Sequence, residues 1–443
     1  NSMNRVIVIG NGFDKAHGLK TGYRDFIDGY WDQVALSIYN GYKLHLLQQW
    51  GVWNDPAPYE DEFVKSYVTY SRTSEKGCQE QIERPYGNDS YSDLCDFVIK
   101  FNSNNLTGNT LHVTFKNEFF KHISERCSLM NWLDIENEYY AQLKELLAEN
   151  NAMLRHEKVR KLNLDFDAVK KRLVSYLSEI VPEIELKPFP SIQDVFSSQI
   201  QPIEVACGKQ RLFIDSIISG IIQLGKGDDG IVKTDVVSED KKEDPDYLFC
   251  RSKEEENRLY VLKRLKDDYL RRDHCTPVHT LILNFNYTRT AEKLYARKKD
   301  EIINIHGELD NPRNPIIFGY GDELDEDYKR IEKLQDNDFL ENIKSVRYHE
   351  TSNYKKLLDF IESDPYQVIT MGHSCGNSDR TLLNTLFEHP NCISVKVYYH
   401  QREDGTDDYT DLIRNLSRNF NDKAAMRDKV VSKEKCSPLV PLL

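Results

Sequence analysis

The chain begins with residues whose types and spacing are typical of a phosphate-binding turn. Val6 to Ile9 are β-branched, as expected for a buried strand, and Gly10-Asn11-Gly12 follows at once. Glycines let the backbone turn sharply and approach a ligand, and N–H groups at a helix start attract anions. The pattern therefore predicts nucleotide binding, although Lys15 replaces the third glycine of the dinucleotide fingerprint. A turn that only joins a strand to a helix fits these residues equally well.

Further candidates to contact the same ligand follow the glycines in the sequence; they are Phe13, Asp14 and His17. A carboxylate beside a diphosphate would be repelled by it. Asp14 therefore suits ribose hydroxyls or the backbone N–H groups of a helix end better, and its role is left open.

Polar residues also follow three later apolar runs of the sequence. They are Asn284, Asn286, Tyr287 and Thr288 after the first run, His306 after the second, and Gly372, His373 and Ser374 after the third. Open parallel sheets bind ligands at the carboxyl ends of their strands. Each residue alone could be a satisfied cap or core group, but four strand ends that converge would form one binding cleft.

The segment Gly372-His373-Ser374-Cys375-Gly376 has the spacing of the nucleophile elbow of serine hydrolases. That chemistry also needs an acid and a histidine, for which Asp379 and either His389 or His400 are candidates. Motifs this short often arise by chance. Hydrolysis at Ser374 is therefore kept as a weaker alternative.

The spacing of the apolar runs predicts an α/β fold with a parallel sheet. Five runs are expected to be strands: Arg5 to Ile9, His279 to Leu283, Glu301 to Ile305, Gln367 to Met371 and Ser394 to Tyr398. The long middle of the chain has helical periodicity instead. We expect one discontinuous sheet domain, residues 3–30 plus 275–430, interrupted by a mainly helical insertion, residues 31–274.

Composition restricts the classes of function. The chain has 443 residues and a net charge of −13, which argues against bulk binding to nucleic acid. The start of the chain lacks the features of a secretory signal and no apolar stretch is long enough for a membrane span, so we expect a cytoplasmic protein without membrane contact. None of the nine cysteines stands in a Cys-x-x-Cys motif, and no metal site is predicted.

Several motifs together resemble the AbiH family of bacterial anti-phage abortive-infection proteins. They are Gly10 to Asp14, Ala16 to Leu19, Trp132 to Glu136, Asn284 to Thr288, His306-Gly307 and Phe318 to Gly321. The resemblance runs nearly end to end. It implies a defence function and a phage component as the trigger.

The later motifs are also similar to sirtuin-like NAD-binding domains of anti-phage NADases. This resemblance implies a Rossmann-like, sirtuin-like sheet, NAD as ligand or substrate, and Asn286 and His306 as catalytic residues. Thr288 stands where those domains have an aspartate, so the ribose contacts are expected to differ. A neutral histidine could accept a proton during cleavage of the nicotinamide–ribose bond, and a carboxamide could orient water.

Two functions follow as competing hypotheses. The first is a nucleotide-processing enzyme, with NAD+ glycohydrolase as the candidate activity, whose insertion controls access or senses infection. The second is a non-catalytic sensor that holds a nucleotide as a structural ligand. A nuclease is disfavoured by the net charge and by the lack of a carboxylate metal motif. The sequence leaves a homo-oligomer open.

Overall fold

The structure of the protein is a computed structural model that describes residues 3–47, 59–69, 90–104, 110–130, 134–181, 185–225 and 276–442. It contains seven strands: β1 (Asn4–Ile9), β2 (Val64–Thr69), β3 (Thr110–Phe115), β4 (Thr280–Asn284), β5 (Glu301–Asn304), β6 (Tyr366–Met371) and β7 (Cys392–Tyr398). Five of them form one parallel sheet in the order β5-β4-β1-β6-β7, and β2 and β3 form a separate antiparallel pair. The predicted α/β class with a parallel sheet is confirmed.

The first strand occupies the centre of the sheet. β1 pairs in parallel with β4, where Arg5 lies opposite Thr280, and with β6 on its other side. This confirms the expectation that residues separated by most of the chain share one sheet. Side chains alternate between the faces, so Val6 and Val8 enter one apolar core while Ile7 and Ile9 enter the other. A strand buried on both faces is mainly apolar, and the run from Val6 to Ile9 explains why its sequence signal is clear.

Helices cover the sheet and build the insertion. Within the described ranges, the helices between β1 and β4 are α1 (Asn11–Ala16), α2 (Tyr23–Leu47), α3 (Ser90–Asn104), α4 (Glu118–Leu129), α5 (Ile135–Glu145), α6 (Ala152–Ile180), α7 (Pro190–Ser197) and α8 (Cys207–Gly225). The later helices are α9 (Thr290–Tyr295), α10 (Glu326–Leu334), α11 (Lys344–Arg347), α12 (Asn353–Ser363), α13 (Arg380–Glu388), α14 (Tyr409–Asn419) and α15 (Lys423–Lys429).

Described residues between β1 and β4 pack, together with residues 318–343, around a further core that is rich in aromatic side chains. Phe63 stacks on Phe120 with ring centroids 4.1 Å apart, and the Tyr139 and Phe166 rings are also 4.1 Å apart. Phe318, which follows β5 in the sequence, stacks on Phe166 at 4.7 Å. The segment after β5 therefore fastens the carboxyl edge of the sheet to the insertion.

The apolar and polar contacts of the sheet extend beyond the predicted sheet domain of residues 3–30 plus 275–430. The buried guanidinium of Arg5 donates to the carbonyls of Val195 and Ser198, at 3.1 and 2.8 Å. Leu439 packs with Ile7 and Ile9 on the same face. Parts of the predicted insertion and of the C-terminal tail thus cover this face. The predicted division into two folding units stays a prediction, and residues 226–275 of the insertion lie outside the described ranges.

None of the helices in the described chain has both the length and the apolar character needed to cross a membrane. Four of the six cysteines within the described ranges are buried.

Candidate functional site

The Gly10-Asn11-Gly12 turn packs directly against the loop that follows β6. The Gly12 N–H donates to the Gly372 carbonyl at 2.8 Å, and Gly372 adopts a positive φ of 67°. A Cβ atom on Gly372 would lie 2.0 Å from the Phe13 nitrogen, and one on Gly10 would lie 2.4 Å from the His373 Cα. This contact between two backbones accounts for the glycines without a ligand. Phosphate binding at the turn stays a prediction.

A buried polar network lies next to this turn. Asp14 is 1% exposed and accepts a hydrogen bond from the Thr288 hydroxyl at 2.5 Å, while its second oxygen has no hydrogen-bond partner. Burial raises the pKa of Asp14 to about 6, although hydrogen bonds from Thr288, Thr290 and Asn286 oppose the shift. The network explains why position 288 holds a threonine instead of the aspartate of the sirtuin-like domains, because a second carboxylate at that position would repel Asp14.

The two asparagines after β4 belong to the same network. Asn284 donates to Asn304 and to the Thr288 carbonyl, both at 2.8 Å, and its own oxygen accepts from the Asn286 N–H. The Asn286 amide donates to the Gly10 carbonyl at 3.0 Å. The structure therefore brings these residues to the glycine turn, as the sequence pattern indicated.

His17, Phe13 and Asn11 are placed differently. His17 contacts the Phe13 carbonyl at 2.8 Å and the Tyr295 hydroxyl at 2.7 Å, and burial lowers its pKa. The fully buried ring of Phe13 contributes to the core beneath α1. Asn11 is exposed and accepts from the Thr21 hydroxyl. These contacts are structural, and a ligand role for the three residues stays a prediction.

Five ionisable side chains form a buried group at the carboxyl edge of the sheet, here called the charged cluster: Glu136, His306, Lys344, His373 and Asp379. All are 8% exposed or less. His306 follows β5, His373 follows β6, Asp379 lies in the 3₁₀ turn before α13, Lys344 begins α11 and Glu136 lies in the first turn of α5. Segments that are far apart in the sequence therefore bring two carboxylates, two imidazoles and one ammonium group together.

Asp379 is the centre of the charged cluster. Its Oδ1 lies 2.7 Å from Lys344 Nζ and 3.3 Å from His306 Nε2, and its Oδ2 lies 3.5 Å from His373 Nε2. Burial favours the neutral acid, but the Lys344 charge and the hydrogen bonds from His306 and His373 outweigh it and hold the pKa of Asp379 well below its usual range. A carboxylate at this position can orient both imidazole rings.

The hydrogen bonds define the protonation of the two histidines. His373 Nδ1 accepts from the Cys375 N–H at 2.9 Å, so its ring proton is on Nε2, which faces Asp379. Burial and the Lys344 charge lower the pKa of His306, whose Nε2 faces both Asp379 and the Tyr348 hydroxyl, 3.2 Å away. Because Nε2 faces the Asp379 carboxylate, the ring proton of His306 lies there and Nδ1 carries the lone pair. This nitrogen is therefore free to accept a proton.

Lys344 and Glu136 complete the charged cluster from the insertion side. Lys344 Nζ donates to Glu136 Oε2 at 2.9 Å, and Glu136 Oε1 accepts from the Gly319 N–H at 3.0 Å. Burial raises the pKa of Glu136, while the Lys344 charge opposes this shift and the Asp379 charge adds to it. Because both Glu136 oxygens accept hydrogen bonds, from Lys344 and from Gly319, the group is held as the carboxylate. Asp134 caps the same helix by accepting from the Glu136 and Asn137 N–H groups.

Tyrosine side chains surround the charged cluster. Tyr23 and Tyr287 are partly exposed, whereas Tyr348 is buried. Burial and the negative charges of the cluster raise the pKa of all three well above the usual value, so their hydroxyls keep their protons and act as donors. Tyr287, one of the residues predicted from sequence, thus lies at the charged cluster.

The structure contradicts one form of the serine hydrolase hypothesis. Ser374 is exposed after the carboxyl end of β6, whereas His389 precedes β7, at the opposite edge of the sheet, and pairs with Glu362 at 3.2 Å. A triad of Ser374, Asp379 and His389 is therefore wrong. His400 lies at the carboxyl edge, but within the described residues no hydrogen bond joins it to Ser374.

The described chain has one group of side chains spaced to hold a metal ion, and it is separate from the charged cluster. His156 lies 3.3 Å from Asp336 and 3.2 Å from Asp338, and all three are partly exposed. Their mutual ion pairs account for this arrangement.

Sequence reasoning missed Lys344 and the role of Glu136. Glu136 belongs to the AbiH-like motif that starts at Trp132, although Trp132 and Leu133 lie outside the described ranges. That motif could have identified Glu136 as a candidate site residue from the sequence. No local sequence pattern indicates a functional role for Lys344, because its neighbours in the sequence are typical of an ordinary short helix.

The fold and the site define an α/β protein with a buried cluster of ionisable side chains at the carboxyl edge of a parallel sheet. The family model for bacteriophage abortive infection AbiH matches residues 6–215 and 233–400. The chain therefore belongs to the AbiH family and has a role in bacteriophage abortive infection. Comparison with curated proteins gave no match, and comparison with solved structures gave none.

Proposed function

We propose that the charged cluster is the reaction centre of a nucleotide-processing enzyme of abortive infection, with NAD+ as the first candidate substrate. The observation that carries this proposal is the burial of Glu136, His306, Lys344, His373 and Asp379 in one group. Burying charges is costly, and apolar side chains of similar size would often stabilise a fold as well or better. Groups with shifted pKa values at the carboxyl edge of a parallel sheet are typical of functional sites.

The strand order supports a nucleotide as the ligand. Counted along the chain, the five parallel strands have the order 3-2-1-4-5, which is that of doubly wound, Rossmann-like sheets. Such sheets bind ligands where the chain changes direction beside the central strand. Here that position is the carboxyl end of β1, next to Asn286 and Gly10. The sirtuin-like form of the proposal rests on the sequence resemblance of these segments.

The chemistry assigned to the site is cleavage of the nicotinamide–ribose bond. Bond breaking leaves an oxocarbenium-like ribose, which the negative charge of Asp379 and Glu136 would stabilise. His306 would accept the proton of the attacking water at Nδ1 while its Nε2 faces Asp379. Asn286 would orient a ribose hydroxyl or the water through its side-chain oxygen.

The test is nicotinamide release by purified protein, with and without lysate from phage-infected cells. His306→Ala should lower the rate by on the order of a hundredfold while the affinity for NAD+ changes little, because a proton acceptor acts mainly in the transition state. His400→Ala is the matched control, since His400 is exposed and its hydrogen bonds with Asp408 are made by its backbone N–H and carbonyl, which alanine keeps. Equal rates for wild type and His306→Ala would remove His306 from the mechanism.

A non-catalytic sensor is the second candidate. Backbone contacts with Gly372 account for Gly10 and Gly12 without a catalytic role. The hydrogen bonds that Asn284, Asn286 and Thr288 make within their own network likewise account for these side chains. Mass spectrometry of nucleotides released on denaturation separates the two proposals. Intact NAD+ that is retained without turnover under infected-lysate conditions would favour the sensor.

A further inference from the structure

Lys344 joins the insertion to the carboxyl edge of the sheet. Its ammonium group donates to Glu136 at 2.9 Å, to Asp379 at 2.7 Å and to the Ser378 carbonyl at 3.1 Å. An ammonium group has three protons, and the side chain is 0% exposed. These three oxygens therefore use its whole hydrogen-bonding capacity and fix its position.

The contacts continue without a break from α5 to His306. Glu136 is held at its other oxygen by the Gly319 N–H, so its carboxyl group cannot turn freely. Asp379 Oδ1 receives Lys344 and also faces His306 Nε2 at 3.3 Å. A shift of α5 would move Glu136, change how Lys344 is shared between the two carboxylates, and so change the surroundings of His306.

We propose that Lys344 and Glu136 are positioning residues for His306. Glu136 places the Lys344 ammonium, which in turn fixes the Asp379 carboxylate that orients the His306 ring. The insertion thereby controls the reaction centre without touching the histidine. This inference rests on the proposed function, in which His306 is the reacting base.

The charges around His306 determine in which direction its pKa should shift when a neighbouring charge is removed. The charged and titratable groups that face His306 are Lys344, Asp379, His373 and Tyr348. Burial and the Lys344 cation lower the pKa of His306, and the Asp379 carboxylate raises it. Loss of the cation should therefore raise the pKa of His306. Loss of the Glu136 charge should lower it, because the Lys344 cation is then less compensated.

The experiment is an NMR titration of the full chain with ¹³C-labelled histidine, in which His306→Gln assigns the resonance. Lys344→Met should raise the pKa of His306 by about one unit, and Glu136→Gln should lower it. Lys396→Met is the matched control, because Lys396 of β7 is partly buried and contacts Glu204 of the 3₁₀ turn Pro202–Glu204 at 2.5 Å, in an ion pair away from the charged cluster. It should cost stability without moving the His306 titration.

Each outcome decides the proposal. Shifts of the same sign in Lys344→Met and Glu136→Gln, or an equal shift in Lys396→Met, would overturn it. If Lys344→Met does not fold, Glu136→Gln decides, since it keeps the size of the side chain and an acceptor for Gly319. An unchanged His306 pKa in that variant removes Glu136 from the proposed role. The titration needs no turnover, so a failed nicotinamide assay would refute only the proposed function.

Discussion

Asp14 illustrates how burial changes the chemistry of a single residue. In the sequence it reads as an ordinary acidic residue near a glycine turn, but in the fold one of its oxygens lacks a partner. Its pKa is raised from 3.8 to about 6. The unfolded chain therefore releases its proton at lower pH than the folded chain does. The contribution of Asp14 to stability is largest below pH 3.8 and is lost as the pH rises to 6.

We expect Asp14→Asn to remove this pH dependence. The shift of about 2 pH units corresponds to about 3 kcal/mol, so above pH 6 the variant should gain stability, less the cost of an imperfect fit of the amide. Urea unfolding at several pH values between 4 and 7 measures the effect. Asp194→Asn, at an exposed position in α7, is the control. A wild-type profile in Asp14→Asn would show that Asp14 is not the responsible group.

At the scale of elements, the turn after β1 and the loop after β6 pack against each other through their backbones. Both are glycine turns, and their backbones are closer than any side chain allows. The contact aligns the ends of two neighbouring strands. His373 and, six residues after it in the sequence, Asp379 follow this contact, so it helps to position the charged cluster.

Gly372→Ala should therefore destabilise the protein strongly. Its Cβ would meet the Phe13 nitrogen at 2.0 Å, and φ is positive, so a loss of about 3 kcal/mol or more is expected. Gly405→Ala is the control, because Gly405 also has a positive φ but open space around its Cα. It should cost only roughly 1 kcal/mol. Equal losses of unfolding free energy in the two variants would show that backbone conformation, and not the packed turns, determines the cost.

At the scale of the whole molecule, the insertion and the sheet share one site. Glu136 comes from the insertion, His306, His373 and Asp379 come from the sheet segments, and Lys344 joins them. In a protein of bacteriophage abortive infection, this arrangement suits a reaction centre whose activity depends on the state of the insertion.

Cells that express the protein test this at the level of defence. We expect His306→Ala to abolish protection against a phage that the wild type restricts, since the buried imidazole is part of the charged cluster, and His400→Ala to retain it. Plaque counts and intracellular NAD levels during infection are the measurements, at matched amounts of folded protein. Full protection by His306→Ala would place the defence function elsewhere in the molecule.

The sequence by itself determined the sheet and half of the site. Strands buried on both faces are mainly apolar, so each of the five was located to within two residues. The carboxyl edge was also predictable, because polar residues follow these strands directly. His306, His373 and Tyr287 were identified for that reason, and Asp379 was nominated from the spacing after Ser374.

Only the tertiary structure decided how those residues are used. Lys344 and Glu136 lie in helices whose local sequences give no sign that they meet, since their contact depends on how the insertion packs against the segment after β5. For the glycines of the first turn, the sequence left ligand binding and a plain strand-to-helix turn equally open, and the structure shows that a neighbouring backbone occupies the space that a side chain would need. Local patterns report which face of an element is buried. Which distant group lies against that face is set by long-range packing, and the protonation of Asp14, His306 and Glu136 depends on it.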